Sequence, residues 1–146
     1  MTSEAILDGQ TAIVTGAARG IGAAIATRLA AAGARVIATD VLEDQLEKVV
    51  SKIGARATAS RLDVTEESIW AELVAETLAE TGRIDILINN AGILAFSTLE
   101  DTDPKLFRKL LEVNVTGSFL GMRAVIPAMK AAKSGAIVNM SSSSSM

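Results

Sequence analysis

The segment TGAARGIG, residues 15 to 22, joins a short apolar run ending in glycine (TAIVTG, 11–16) to an alanine-rich helical stretch (GIGAAIATRLAAAG, 20–33). Each glycine at this spacing has its own use. Gly16 permits a tight turn, Gly20 lets backbone come close to a ligand, and Gly22 lets helix pack on strand. The helix start then presents unpaired N–H groups and a partial positive charge, an environment suited to a pyrophosphate. Asp40 ends the next apolar run, ARVIATD (34–40), where a carboxylate can accept hydrogen bonds from both hydroxyls of an adenosine ribose. Strand, glycine turn, helix, strand and acid in that order point to a dinucleotide. A 2′-phosphate there would face the carboxylate. At about 4 Å and an effective dielectric near 20 the repulsion is on the order of 4 kcal/mol, so NAD is expected and NADP disfavoured. Arg19 in the turn acts the other way, since its charge could partly neutralise such a phosphate. Asp40 could also simply cap the helix that starts near Leu42.

The remaining elements decide where these groups stand. LEDQLEKVVSKIG (42–54) places Leu46, Val49, Val50 and Ile53 on one helix face and ends in glycine. ARATASRLDV (55–64) holds a weaker third strand. Thr65 is expected to cap the next helix, with Glu66 and Glu67 in its first turn and Ile69, Trp70, Leu73, Val74 and Leu78 on its apolar side, up to Gly82. IDILINN (84–90) reads as a fourth strand. Asp103-Pro104 opens one long helix toward Lys133, and GAIVNMS (135–141) reads as a fifth strand. Strands and helices alternating over such short connections imply parallel strands and right-handed crossovers, so a doubly wound, Rossmann-type α/β sheet in one domain over residues 1–146. Ligands of such sheets bind beyond the carboxyl ends of the strands. Here those ends are Gly16, Asp40, Asp63, Asn90 and Ser141–Ser142.

Composition narrows the function classes. Apolar residues make up 49% of the chain but aromatics only 3%, which suits helices packed closely on a buried parallel sheet. A net charge of −3 supplies no electrostatic case for nucleic acid or an anionic membrane surface. Without cysteine or histidine, thiolate catalysis, a zinc site and a histidine triad are not expected. The opening MTSEAILDG lacks a secretory pattern, and IGAAIATRLAAAGARVIA carries two arginines and a glycine break. A cytoplasmic protein is therefore the expectation.

At this point five motifs, TGAARGIG, LDVT, NNAG, the asparagine of VNVTG, and GAIVNMSS, resemble in order and spacing the short-chain dehydrogenase/reductase family. The resemblance runs from about Leu7 to Ser142 and says almost nothing about substrate. It implies an NAD-dependent oxidoreductase that transfers hydride between nicotinamide and an alcohol or carbonyl. Carried over by position, it implies that Thr15, Gly16, Arg19, Gly20, Ile21 and Gly22 form the pyrophosphate turn and that Asp40 holds the ribose. Asp63 would meet the adenine amino group, with the Val64 backbone beside it. Asn90, Ala91 and Gly92 would pass along the cofactor and stabilise the central sheet. Asn114 would hold a water in a proton relay, and Ser142 would hydrogen-bond the substrate carbonyl. On the residues alone, Asp63 could merely end a strand, Asn114 could satisfy a local carbonyl, and Ser142 is an ordinary loop serine.

The pattern breaks where the chemistry should follow. The family places a tyrosine, and four residues later a lysine, in the helix after the serine, but this sequence contains no tyrosine. AIVNM would be an apolar edge strand and the helix from Pro104 would keep exposed apolar residues. The chain is thus expected to be the cofactor-binding part of a longer enzyme, inactive alone, with the intact protein a homo-oligomer (dimer or tetramer). The alternative is a non-catalytic dinucleotide-binding or regulatory module. A methyltransferase-like fold is disfavoured by NNAG and by the position of the third glycine.

Overall fold

A computed structural model describes residues 5–142. The chain alternates strand and helix: β1 (Thr11–Thr15), α1 (Gly20–Ala31), β2 (Arg35–Asp40), α2 (Glu43–Ile53), β3 (Ala57–Arg61), α3 (Glu67–Thr81), β4 (Ile86–Asn89), α4 (Pro104–Leu111), α5 (Gly117–Ala132) and β5 (Ala136–Asn139). The five strands are parallel and stand in the order β3-β2-β1-β4-β5. After β3 the chain crosses back to the far side of β1, so the order reverses between β1 and β4. This is a Rossmann-like doubly wound fold, whose ligand crevice lies at that reversal.

Period-two alternation in β1 splits the core between two faces. Ala12 and Val14 join Ala26 and Ala30 of α1, Leu46 of α2 and Val36 and Ala38 of β2. Ile13 points the other way, into a second cluster with Trp70 and Leu73 of α3 and Leu120, Val125 and Met129 of α5. Small residues let α5 approach closely. A Cβ on Gly121 would stand 2.9 Å from the Trp70 ring, and one on Gly117 would stand 2.6 Å from Val64 Cγ2. The Trp70 indole N–H donates to the Val64 carbonyl at 3.0 Å, so the ring's one polar group is satisfied inside this packing.

Three expectations are corrected. The helix from Pro104 is not continuous: residues Glu112–Thr116 form a π turn between α4 and α5, in which the Gly117 N–H donates to the Glu112 carbonyl. Thr65 does not cap α3. Glu66 stands at the cap position, and the Thr65 hydroxyl donates instead to Asp63 Oδ1 at 2.7 Å, a nearer and charged acceptor. The last two strands are shorter than their apolar runs, β5 ending at Asn139 rather than Ser141. As expected, β5 lies at the sheet edge, with Val138 46% exposed. Phe107, Leu111, Val115, Phe119 and Ile126 along α4 and α5 are 40–58% exposed. Serines 143–145 lie outside the described residues.

At the amino ends of the central strands β1 and β4, Asp85 is buried and accepts the Thr11 N–H at 2.8 Å, while Arg83 grips it in a two-point ion pair at 2.6 and 2.8 Å. Burial alone would raise its pKa. The Arg83 hydrogen bonds and charge and the Thr11 N–H together outweigh burial and hold the carboxyl below its ordinary value. A depressed folded-state pKa contributes stability that is fully present above the unfolded value of about 3.9 and is lost as pH falls below it. Asp85→Asn is therefore expected to cost about 1–3 kcal/mol at pH 7 in urea unfolding, and the gap to wild type should narrow between about pH 4 and pH 3. A gap constant across that range would show that the carboxylate charge is not what matters.

Candidate cofactor site

The turn after β1 is built by close backbone approach. Gly16 has φ +66° and Gly20 φ +55°, both in the region that favours glycine. A Cβ on Gly22 would sit 2.0 Å from the Gly16 carbonyl oxygen, so the third glycine serves packing of the helix on the turn itself rather than on the strand. Ala17 donates its N–H to the Thr39 carbonyl at 2.9 Å, and Ala18 donates to Asp40 Oδ2 at 3.0 Å. Arg19 is exposed and extended at the cap position of α1, which has neither a side-chain cap bond nor an acid in its first turn. Beyond Gly20 there is open space, and the neighbouring Ile21 is 64% exposed. A helix N-terminus left open to solvent in this way can receive an anion.

The turn is locked to β4. Thr15 is buried; its hydroxyl donates to the Ile88 carbonyl at 3.3 Å and accepts the N–H groups of Asn90 at 3.0 Å and Ala91 at 2.9 Å. The Asn90 side-chain amide returns the connection, donating to the carbonyls of Thr15 at 3.1 Å and Gly16 at 3.2 Å. Thr15, Gly16, Asn90 and Ala91 therefore meet at the reversal of strand order. The side chains of Thr15 and Asn90 are committed to this framework, leaving backbone to face a ligand.

Asp40 accepts the Leu42 N–H through Oδ1 at 3.1 Å, and Leu42, not Asp40, holds the cap position of α2. Its carboxylate is fixed between the glycine turn and the start of α2, beside the open end of α1. Asp63 lies farther along the carboxyl edge, and its Oδ1 accepts both the hydroxyl and the N–H of Thr65. Those two bonds lower its pKa, with smaller contributions from the charges of Arg61 and Lys109. Asp63 and Thr65 line a cavity of about 360 Å³ together with Arg108, Lys109, Glu112 and Val113. The carbonyl of Val64 is occupied by Trp70.

Asn114 sits in the π turn and clamps the segment after NNAG: its Oδ1 accepts the Ile93 N–H at 2.8 Å and its Nδ2 donates to the Ile93 carbonyl at 2.9 Å. Its side chain lies 3.2 Å from where a Cβ on Gly92 would be. The amide expected to hold a water is engaged at both ends, and the Asn114 main-chain carbonyl has a long bond from the Ser118 hydroxyl at 3.4 Å. Ser142 is exposed just beyond β5.

Sequence reading missed Asn89, which is buried and donates to Asn139 Oδ1 at 2.8 Å and to the Ser118 carbonyl at 3.3 Å, tying β4 to β5 and α5. The doubled asparagine of INN was the available signal.

The family model described as short chain dehydrogenase matches residues 10–146. The chain belongs to the short-chain dehydrogenase family. A metagenomic short-chain oxidoreductase solved in complex with NADP is 42% identical and superposes with a TM-score of 0.88, over 93% of this chain and 63% of that one. A trans-4-hydroxycyclohexanecarboxylate dehydrogenase from Sinomonas cyclohexanicum is 42% identical over 91% of this chain and 54% of its own length. A 3-alpha-(or 20-beta)-hydroxysteroid dehydrogenase from Mycobacterium bovis is 40% identical over 93% and 52%, and a cyclopentanol dehydrogenase from Comamonas testosteroni 43% over 89% and 53%. The chain thus spans about half the length of these relatives. Among the described residues, no helix is long and apolar enough to cross a membrane and no cluster of acids forms a metal site.

The Thr15 hydroxyl makes three bonds where that of Thr39, also buried, makes one, to the Val14 carbonyl at 3.1 Å. Thr15→Val is therefore expected to destabilise by about 2 kcal/mol and Thr39→Val by about 1 kcal/mol or less, measured by urea unfolding. Equal losses would remove Thr15 from the centre of the site.

Proposed function

We propose that this chain is the dinucleotide-binding portion of an oxidoreductase, most of whose cofactor contacts it carries, and that the preferred cofactor is NAD. The observation that carries this reading is the pairing of an uncapped α1 N-terminus with the Asp40 carboxylate, which the Ala18 N–H of the same turn holds in place. The residues fit the cofactor. Backbone of Gly16, Arg19, Gly20, Ile21 and Gly22 would receive the pyrophosphate, and Asp40, whose oxygens each keep a further lone pair, would accept from the ribose hydroxyls. Asp63 and the Val64 backbone would bound the adenine. Ala91 and Gly92 would run along the cofactor, backed by Thr15 and Asn90.

When bound, the nicotinamide supplies a hydride acceptor or donor. The chain's own part in the chemistry is then positional. The Ser142 hydroxyl would donate to the substrate oxygen. Asn114, its amide spent on Ile93, would contribute its main-chain carbonyl to a water in the proton relay. Two of the relatives are named for a hydroxycyclohexanecarboxylate and for cyclopentanol, which makes alicyclic secondary alcohols the first substrates to assay for the whole protein. The proposed setting is cytoplasmic, and the apolar stripe Phe107, Leu111, Val115, Phe119 and Ile126 supports a homo-oligomeric whole protein.

Calorimetric titration of the 146-residue chain is expected to give NAD a Kd at least about tenfold below that of NADP, with the ratio collapsing in Asp40→Asn. Tighter NADP binding would overturn the cofactor assignment. No oxidation of cyclopentanol with NAD is expected from this chain, because losing a general acid alone lowers rates by about 10²–10⁴.

A further inference from the structure

A cation stands one strand from Asp40, and its neighbour holds it. Arg61 is the last residue of β3 and the register partner of Asp40. In-register residues of parallel neighbours lie about 4.8 Å apart and point to the same face, so the Arg61 side chain begins within guanidinium reach of whatever Asp40 binds. Arg61 Nε lies 3.2 Å from Glu43 Oε1, with both side chains more than half exposed. Glu43 is the first residue of α2, directly after Leu42, whose N–H is bonded to Asp40. Asp40, Leu42, Glu43 and Arg61 therefore form one connected cluster at the carboxyl edge. A cavity of about 420 Å³ opens beside it, lined by Leu42, Glu43, Asp44 and Gln45.

The charges in this cluster matter for a phosphate. Asp40, Glu43 and Asp44 carry three negative charges against the one positive charge of Arg61. A guanidinium is the side chain best suited to grip a phosphate with two parallel hydrogen bonds, yet here its Nε already faces a carboxylate. The pair is exposed, so its own contribution to stability is small. A small contribution also means that the pair can be broken without unfolding the edge.

We propose that the Glu43–Arg61 ion pair is a specificity latch: Glu43 keeps Arg61 from the space beyond Asp40, denying a 2′-phosphate a cation besides Arg19 and reinforcing the preference for NAD. Two groups then discriminate against the phosphate. Asp40 repels it directly, and Glu43 acts through Arg61. The latch rests on the reading of Asp40 as the ribose-binding group, and the wild-type affinity for NAD, which the latch does not set, separates the two.

The test is calorimetric titration of NAD and of NADP into wild type, E43Q, R61M and E43Q/R61M, with far-UV circular dichroism to verify folding of each. E43Q is expected to tighten NADP by about three- to tenfold and to leave NAD within about twofold. In E43Q/R61M that gain is expected to disappear. An unchanged NADP-to-NAD ratio in E43Q overturns the latch while leaving the Asp40 reading intact if wild type binds NAD. A gain that persists in E43Q/R61M also overturns it, because Glu43 would then act only by its own charge. Wild type that binds neither nucleotide overturns the Asp40 reading and the latch together.

Discussion

One buried hydroxyl joins the two strands between which the strand order reverses. Thr15 ends β1, and through it the first residues after β4 are held against the glycine turn. The constraint behind this is general: β1 pairs with β2 on one side and β4 on the other, so the loops leaving β1 and β4 diverge from adjacent points and would otherwise expose backbone N–H and carbonyl groups without partners. The Asn90 amide closes the same gap from the opposite direction. With the two loops fixed, the glycine turn has a floor, α1 starts from a defined place, and Asp40 can be held by the Ala18 N–H. The rest of the site depends on that arrangement.

The cost of such close approach appears as missing side chains. A Cβ on Gly16 would come within 2.9 Å of Ala91 Cα, and one on Gly22 within 2.6 Å of the Asn90 amide nitrogen. On the other face, Gly117 and Gly121 let α5 settle on Val64 and Trp70, which places the π turn and Asn114 over the loop after β4. The extra residue of the π turn is what sets Asn114 against Ile93. Insertions of this kind are often found at functional sites.

Much of the fold was legible because its signals are local. Apolar runs of strand length, the helical face of Leu46, Val50 and Ile53, and glycine at Gly16, Gly54 and Gly82 each speak within a few residues, and every strand and helix core they marked is present. The site was legible in part for the same reason: turn, helix start and Asp40 lie within about one supersecondary unit. What could not be read depends on contacts between distant segments. No residue type marks the π turn within a helix that opens normally at Asp103-Pro104. Thr65 looked like a cap because its spacing is right, but the Asp63 carboxylate competes for the same hydroxyl. The hydrogen bonds of Asn114 to Ile93 and Asn89 to Asn139 and the ion pair of Arg61 with Glu43 join segments 18 to 50 residues apart, and only the packed sheet brings them together.

The central claim is that the crevice where β1 and β4 part is a dinucleotide site held by the Thr15–Asn90 framework. The most direct measurement is a two-dimensional ¹H–¹⁵N spectrum of the assigned chain as NAD is added. The account predicts shifts confined to residues 16–22, 40–43, 63–65 and 90–93, with the Asn90 side-chain amide keeping its position because it stays bonded to Thr15 and Gly16. Shifts centred instead on the exposed faces of α4 and α5, or none at millimolar NAD, would contradict it.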